Sequence, residues 1–164
     1  SRTHKQNKKL LITGDSNKMF KFKNIHLDDE SMWPDGVKVD LDAAFEDHRG
    51  YIQSIVNFPM KNFSMIFSHK GKVRANHMHK TDWHYMFVIS GSVDYYYRKH
   101  GNDEKPKLEK CVPGDLVFTP PMEDHAMVFT SDTLFACVSR NPRGDQATYE
   151  SDVKRIQVID PDKL

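Results

Sequence analysis

Short runs of apolar or alternating residues, separated by turn residues, follow one another from Phe20 to Arg140. Residues 20–25, 51–57, 63–69, 72–77, 84–90, 92–98, 107–112, 115–119, 125–130 and 133–140 are rich in Val, Ile, Phe, Tyr and Thr. No long helical period interrupts them, so each is a candidate strand. Gly91 inside Ile89-Ser90-Gly91-Ser92-Val93 marks a tight hairpin, and Val112-Pro113-Gly114-Asp115 and Phe129–Thr133 mark two further turns. The polar run 100–107 is a solvent loop between two strands. In 84–90, the sets Tyr85, Phe87, Ile89 and His84, Met86, Val88 leave both faces mostly apolar, which predicts cover on both sides. Residues 147–159 fit a short helix or a strand equally well. Many short strands at regular spacing in one chain predict an all-β roll or barrel.

Composition changes this picture little. With 164 residues the chain is long enough to bury a core. Net charge is +1, which gives no sign of a nucleic-acid partner. The local exception is the basic start, read as a flexible arm over residues 1–19, ahead of a barrel over 20–146 and an extension over 147–164. No apolar run approaches membrane-spanning length and no signal peptide opens the sequence, so the expected setting is cytoplasmic. Cys111 and Cys137 make neither a disulfide framework nor a paired-cysteine zinc signature, and are expected as reduced, buried thiols.

The chemistry is concentrated in histidine. His77, His79 and His84 fall within residues 71–91, and His125 follows downstream. Alternation along a strand puts His77 and His79 on one face. Buried imidazoles need partners, and four converging on one point would repel one another if protonated. A bound divalent cation removes both difficulties, so His77, His79, His84 and His125 are the expected metal ligands. Neutral nitrogen donors suit Fe, Zn, Ni, Co or Cu better than Mg or Ca. Without a metal the same rings are acid–base groups.

These residues resemble the cupin motifs. The first cupin motif is a glycine, five residues, His-x-His, three or four residues, usually Glu, six residues, and a glycine. Gly71, His77, His79, His84 and Gly91 fall on those positions, with His84 where Glu is usual. Gly114, Pro120 and His125 match the second motif, with Met122 for its glycine and Phe129 for its asparagine. The resemblance implies a double-stranded β-helix, the cupin jelly roll, and commonly a homodimer. A narrower likeness follows. Asp47-His48-Arg49-Gly50-Tyr51 resembles a stretch of the dTDP-4-dehydrorhamnose 3,5-epimerases. Arg74-Ala-Asn-His77-Met-His79-Lys80 resembles an Arg-Gly-x-His-x-His-Lys segment of dTDP-sugar 3,4-ketoisomerases, with Ala75 for the glycine. In those enzymes the histidines are acid and base without a metal, and arginines hold the nucleotide diphosphate.

This likeness implies an epimerase or isomerase acting on a nucleotide-linked keto sugar for surface polysaccharide. Its catalytic residues would be His77, His79 and Tyr97, and Arg49, Arg74 and Lys80 would bind substrate. Histidine-only coordination keeps a non-haem Fe(II) dioxygenase open, and a binding cupin without turnover is the third reading. Several of these residues have plainer roles in view. Arg49 could simply pair with Asp47 or Glu46, and Lys80 could be a solvated turn lysine. Asp82 is taken as a turn residue, though its parity with His84 would let it orient a ring. Arg74 lies three residues before His77, hence on the opposite face unless a bulge intervenes. Met86, Met122, Met127 and Phe129 are expected to make the pocket apolar.

Overall fold

The computed structural model describes residues 28–164. The basic arm 1–19 and the candidate strand 20–25 lie outside the described residues. The chain divides into two compact units, with the boundary between Pro59 and Met60.

In the first unit a single 3₁₀ turn, Glu30–Met32, is capped by the Asp29 carboxylate, which accepts the Ser31 N–H at 3.0 Å. A two-residue strand, β1 (Lys38–Val39), precedes a hairpin of β2 (Phe45–Asp47) and β3 (Gly50–Ile52). The expected strand 51–57 therefore stops at Ile52. Only three residues of β2 face it, and the Gln53 amide turns to the carbonyls of Asp42 and Ser54 at 2.9 and 3.0 Å.

The second unit holds β4 (Asn62–Ser68), β5 (Val73–His79), β6 (His84–Ser90), β7 (Val93–Lys99), β8 (Lys107–Cys111), β9 (Leu116–Thr119), β10 (Glu123–Phe129) and β11 (Thr133–Ser139). Helix α1 (Gln146–Ser151) and β12 (Val153–Arg155) follow, so the ambiguous stretch 147–159 contains both a helix and a strand. Two antiparallel sheets result. Strands β9, β6, β11 and β4 are neighbours in one, and β12, β5, β10, β7 and β8 in the other. From β4 to β11 only β7 is hydrogen-bonded to its successor in sequence, β8, across the polar loop expected there; every other step changes sheet. The turn at Gly91 is consequently not a hairpin. It passes the chain from β6, which pairs with β9 and β11, to β7, which pairs with β10 and β8. Gly91 has φ +91°, and a Cβ there would stand 2.3 Å from the Asp132 carbonyl oxygen, so no other residue fits.

Tyr95, Phe129 and Phe135 are fully buried on the cavity side of the sheets, and Tyr85 and Leu116 are fully buried on the opposite face of β6 and β9. Each contributes on the order of 2 kcal/mol through apolar burial. Phe129, expected in the pocket floor, is fully buried and stacks at 5.9 Å on Phe135, which is the phenylalanine that lines the cavity. Cover over β6 is incomplete: Phe87 is half-buried and Ile89 is exposed. Strand β4 is inverted, with Phe63, Met65 and Phe67 exposed while Asn62, Ser64 and Ile66 turn inward.

Candidate functional site

Strand pairing brings the four histidines together. His77 and His79 sit on β5, His125 on β10 directly opposite His77, and His84 at the start of β6. Ring centroids are 4.6 Å apart for His77 and His79, 4.8 Å for His77 and His125, and 5.3 Å for His79 and His84. His77, His79 and His125 each offer one nitrogen within 4.8 Å of the others, while His84 stands outside that closest set. All four line a cavity of about 400 Å³ with Met86, Met127 and other groups.

A bulge in β5 shapes the wall. His125 pairs with His77 but Ala126 with Ala75, so Asn76 is an extra residue. Ala75 and Asn76 both take positive φ, +68° and +51°. Ala75 thus adopts the left-handed conformation at the position where the ketoisomerase segment carries glycine. The extra residue reverses the strand's parity and turns Arg74 into the cavity lining, opposite Met127. Its Nε donates to Ser68 Oγ at 2.7 Å. Asn76 is an anchor for the C-terminal segment: its Oδ1 accepts from the N–H groups of Val158 and Ile159, both at 3.1 Å, and its Nδ2 donates to the Ile159 carbonyl.

That segment supplies the remaining wall. Arg143, Gln146, Tyr149, Glu150 and Arg155 line the cavity, with the Arg143 guanidinium 4.3 Å above the Tyr149 ring. Arg155 Nη1 lies 3.4 Å from His77 Nδ1. Asp152 caps the strand end by accepting the N–H groups of Thr81 and Asp82, and its Oδ2 stands 3.4 Å from His79 Nδ1, in ion-pair range but outside hydrogen-bond geometry.

Burial dominates the electrostatics. It pushes His77 down to about 2, helped by His125 and His79, and His125 down to about 3. His84 lies well below its ordinary value for the same reason, with repulsion from His79 next. His79 is lowered by burial too, against an opposing pull from Asp152. The site therefore presents neutral imidazoles at neutral pH. Asp82 is buried, not a plain turn residue; desolvation lifts it to about 6, and it accepts the Asn141 N–H at 2.9 Å. Neither nitrogen of His79 nor Nε2 of His125 has a hydrogen-bond partner in this buried site. Such nitrogens are a donor set that borderline transition metals accept.

Tyr97, Lys80 and Met122 do not line this cavity. Tyr97 is half-buried and stacks on Tyr95 at 5.7 Å; Tyr95, one step along the face, lines the cavity instead. The Tyr95 hydroxyl is tied to Thr119 at 2.6 Å and Glu123 at 2.7 Å. Lys80 is exposed, its Nζ donating to the Ser151 carbonyl at 3.2 Å beside a neighbouring cavity of about 370 Å³. Arg49, in the first unit, is paired with Asp47 at 2.6 Å. Met122 is exposed, whereas Met86 and Met127 line the cavity. Cys111 is buried and makes no disulfide, and Cys137 lines the cavity with its thiol raised to about 12 by burial. Arg143, Tyr149 and Arg155 were missed because they lie past the last apolar run, where periodicity carries no signal. Among the described residues no helix is long and apolar enough to cross a membrane.

No protein-family model matches this sequence, and no curated protein matches it either. Solved structures do resemble it. A 3,4-ketoisomerase of Thermoanaerobacterium thermosaccharolyticum, a double mutant in complex with TDP, is 23% identical, with TM-score 0.56 over 73% of this chain and 84% of that one. A 3,4-ketoisomerase of Helicobacter canadensis is 19% identical, with TM-score 0.59 over 77% and 91%. A 3'-monoepimerase of Streptomyces bikiniensis in complex with dTDP-quinovose is 15% identical, with TM-score 0.59 over 75% and 70%. The likeness establishes the fold: this chain is folded as a cupin jelly roll.

Proposed function

We propose that this chain is an isomerase or epimerase of a nucleotide-linked keto sugar in surface polysaccharide synthesis. The observation that carries the reading is the cavity itself, with neutral histidines inside and Arg74, Arg143 and Arg155 in its wall. Guanidinium groups suit a diphosphate through paired hydrogen bonds, and a neutral imidazole suits proton abstraction beside a ketone. The ketoisomerases and the epimerase of the same fold support the substrate class. His79 is the base, because Asp152 is the carboxylate that would stabilise its imidazolium. Its bare nitrogen takes the proton from the carbon next to the ketone, and the C–H electron pair moves onto the carbonyl oxygen as an enolate. Return of a proton to the other face of that carbon, or to the former carbonyl carbon while the proton of the adjacent hydroxyl passes to the enolate oxygen, gives an isomer with no atoms gained or lost.

The expected homodimer and cytoplasmic setting belong to the same proposal, and the outward face of Phe63, Met65 and Phe67 is the surface a second copy would cover. A metal site is the second reading, favoured by the unpartnered nitrogens of His79 and His125. Those two with His77 or His84 would hold Fe, Zn, Ni, Co or Cu, and the ion would polarise a bound oxygen. Iron in particular would favour the dioxygenase alternative.

The test is incubation with dTDP-4-keto-6-deoxyglucose in D₂O, followed by proton NMR. Loss of the proton signal beside the ketone, with a new isomer accumulating, is the expected result. An unchanged spectrum with saturating enzyme would overturn the assignment.

A further inference from the structure

A neutral imidazole carries one N–H, and the surroundings of one ring nitrogen decide what the other presents. β12 pairs with β5 so that Arg155 stands directly opposite His77. Its Nη1 is 3.4 Å from His77 Nδ1. A guanidinium has donors and no acceptor, so Nδ1 must accept, and the ring's one proton lies on Nε2. The guanidinium is itself held from behind: Glu150 Oε1 accepts from Arg155 Nη2 at 2.6 Å and from Gln146 Nε2 at 2.9 Å. His125 is set the opposite way. Its Nδ1 lies 3.0 Å from the Glu123 carbonyl oxygen, which can only accept, so Nδ1 carries the proton and Nε2 is bare. Two facing histidines, paired across β5 and β10, thus hold opposite tautomers.

We propose that Arg155 is a positioning residue that fixes His77 as the hydrogen-bond donor of the site, and by the same contact withholds the Nε2 lone pair a metal would need. The mechanistic role rests on the isomerase reading above; the tautomer does not. In that role His77 Nε2–H donates to the ketone oxygen and stabilises the negative charge that grows there as His79 removes the carbon-bound proton. His77 gives up no proton, so the exchange balances through His79 alone. The positive guanidinium behind Nδ1 polarises the ring and strengthens Nε2–H as a donor.

Two-bond ¹H–¹⁵N spectra of ¹⁵N-histidine-labelled protein, dialysed against chelator, read the tautomers without substrate. The expected spectrum has His77 with a pyridine-type Nδ1 and a pyrrole-type Nε2, and His125 with the reverse. In Arg155→Met the His77 signals move toward the Nδ1–H form and zinc, titrated alone, binds about ten-fold more tightly. Arg155→Lys, whose ammonium also only donates, restores the wild-type pattern. An Nδ1–H tautomer of His77 in the wild type, or an Arg155→Met spectrum like the wild type, overturns the proposal. Unchanged zinc affinity in Arg155→Met overturns its metal half. If Arg155→Met fails to fold, the wild-type spectrum still decides. A correct tautomer in a protein that never exchanges substrate deuterium would count against the sugar reading and leave this inference standing.

Discussion

His125 is fully buried with a neutral ring, and that has a consequence for acid stability. Its folded pKa is pushed down to about 3, whereas in the unfolded chain it takes its proton near 6.5. Between those values the unfolded state binds the extra proton, so the stability held above pH 6.5 is lost as pH falls. At pH 5 the loss is about 2 kcal/mol for each histidine that stays neutral in the fold. Glu123, raised to about 8, and Asp82, raised to about 6, act with the opposite sign, so the whole-protein curve is a sum. A difference isolates the ring: His125→Gln should remove about 2 kcal/mol of the change between pH 7 and pH 5, read from urea denaturation at each pH. Parallel curves for variant and wild type would mean that His125 is not held neutral. Ala75 offers a second test at this scale. Its φ of +68° is unfavourable for alanine, so Ala75→Gly should stabilise the protein by about 0.5 kcal/mol after the entropy of the freer unfolded chain is subtracted. A thermal midpoint lowered by this change would contradict the strain argument.

At the scale of elements, the bulge in β5 and the segment after β11 together make the site. Asn76 joins them, since its side chain receives two backbone N–H groups of the C-terminal segment while its backbone holds the left-handed turn. Asn76→Ala should cost about 3 kcal/mol through lost hydrogen bonds and turn strain, and should loosen residues 156–159 first. Hydrogen exchange would detect this as lost protection at Val158 and Ile159; unchanged protection there would exclude the anchoring role. The bounds of β6 were readable in advance, because alternation of large apolar residues between turn signals leaves one register for His84–Ser90. The histidine cluster was readable for the same reason, since spacing along a strand fixes the face. The inward turn of Arg74 was not, because a bulge reverses parity and nothing in Ala75-Asn76 announces one. Nor was the part played by α1 and β12, whose polar residues line a wall without apolar periodicity.

For the whole molecule, the inverted strand β4 matters most outside the site. Three large apolar side chains in a row on an exposed strand are an association hazard unless something covers them. Light scattering should therefore give twice the chain mass, and Phe63→Glu/Phe67→Lys should return it to one chain while the circular dichroism spectrum is kept. A monomeric wild type at micromolar concentration would remove the dimer from the account. The wider claim is that a cupin jelly roll here holds neutral histidines for proton transfer on a nucleotide-linked keto sugar. The measurement that tests it most directly is solvent-deuterium exchange into dTDP-4-keto-6-deoxyglucose, made on chelator-treated protein with its metal content counted by mass spectrometry. The account predicts exchange at the untreated rate with metal far below one per chain, and its loss by a factor of about 10³ in His79→Asn. No exchange until a transition metal is restored, or undiminished exchange in His79→Asn, would contradict it.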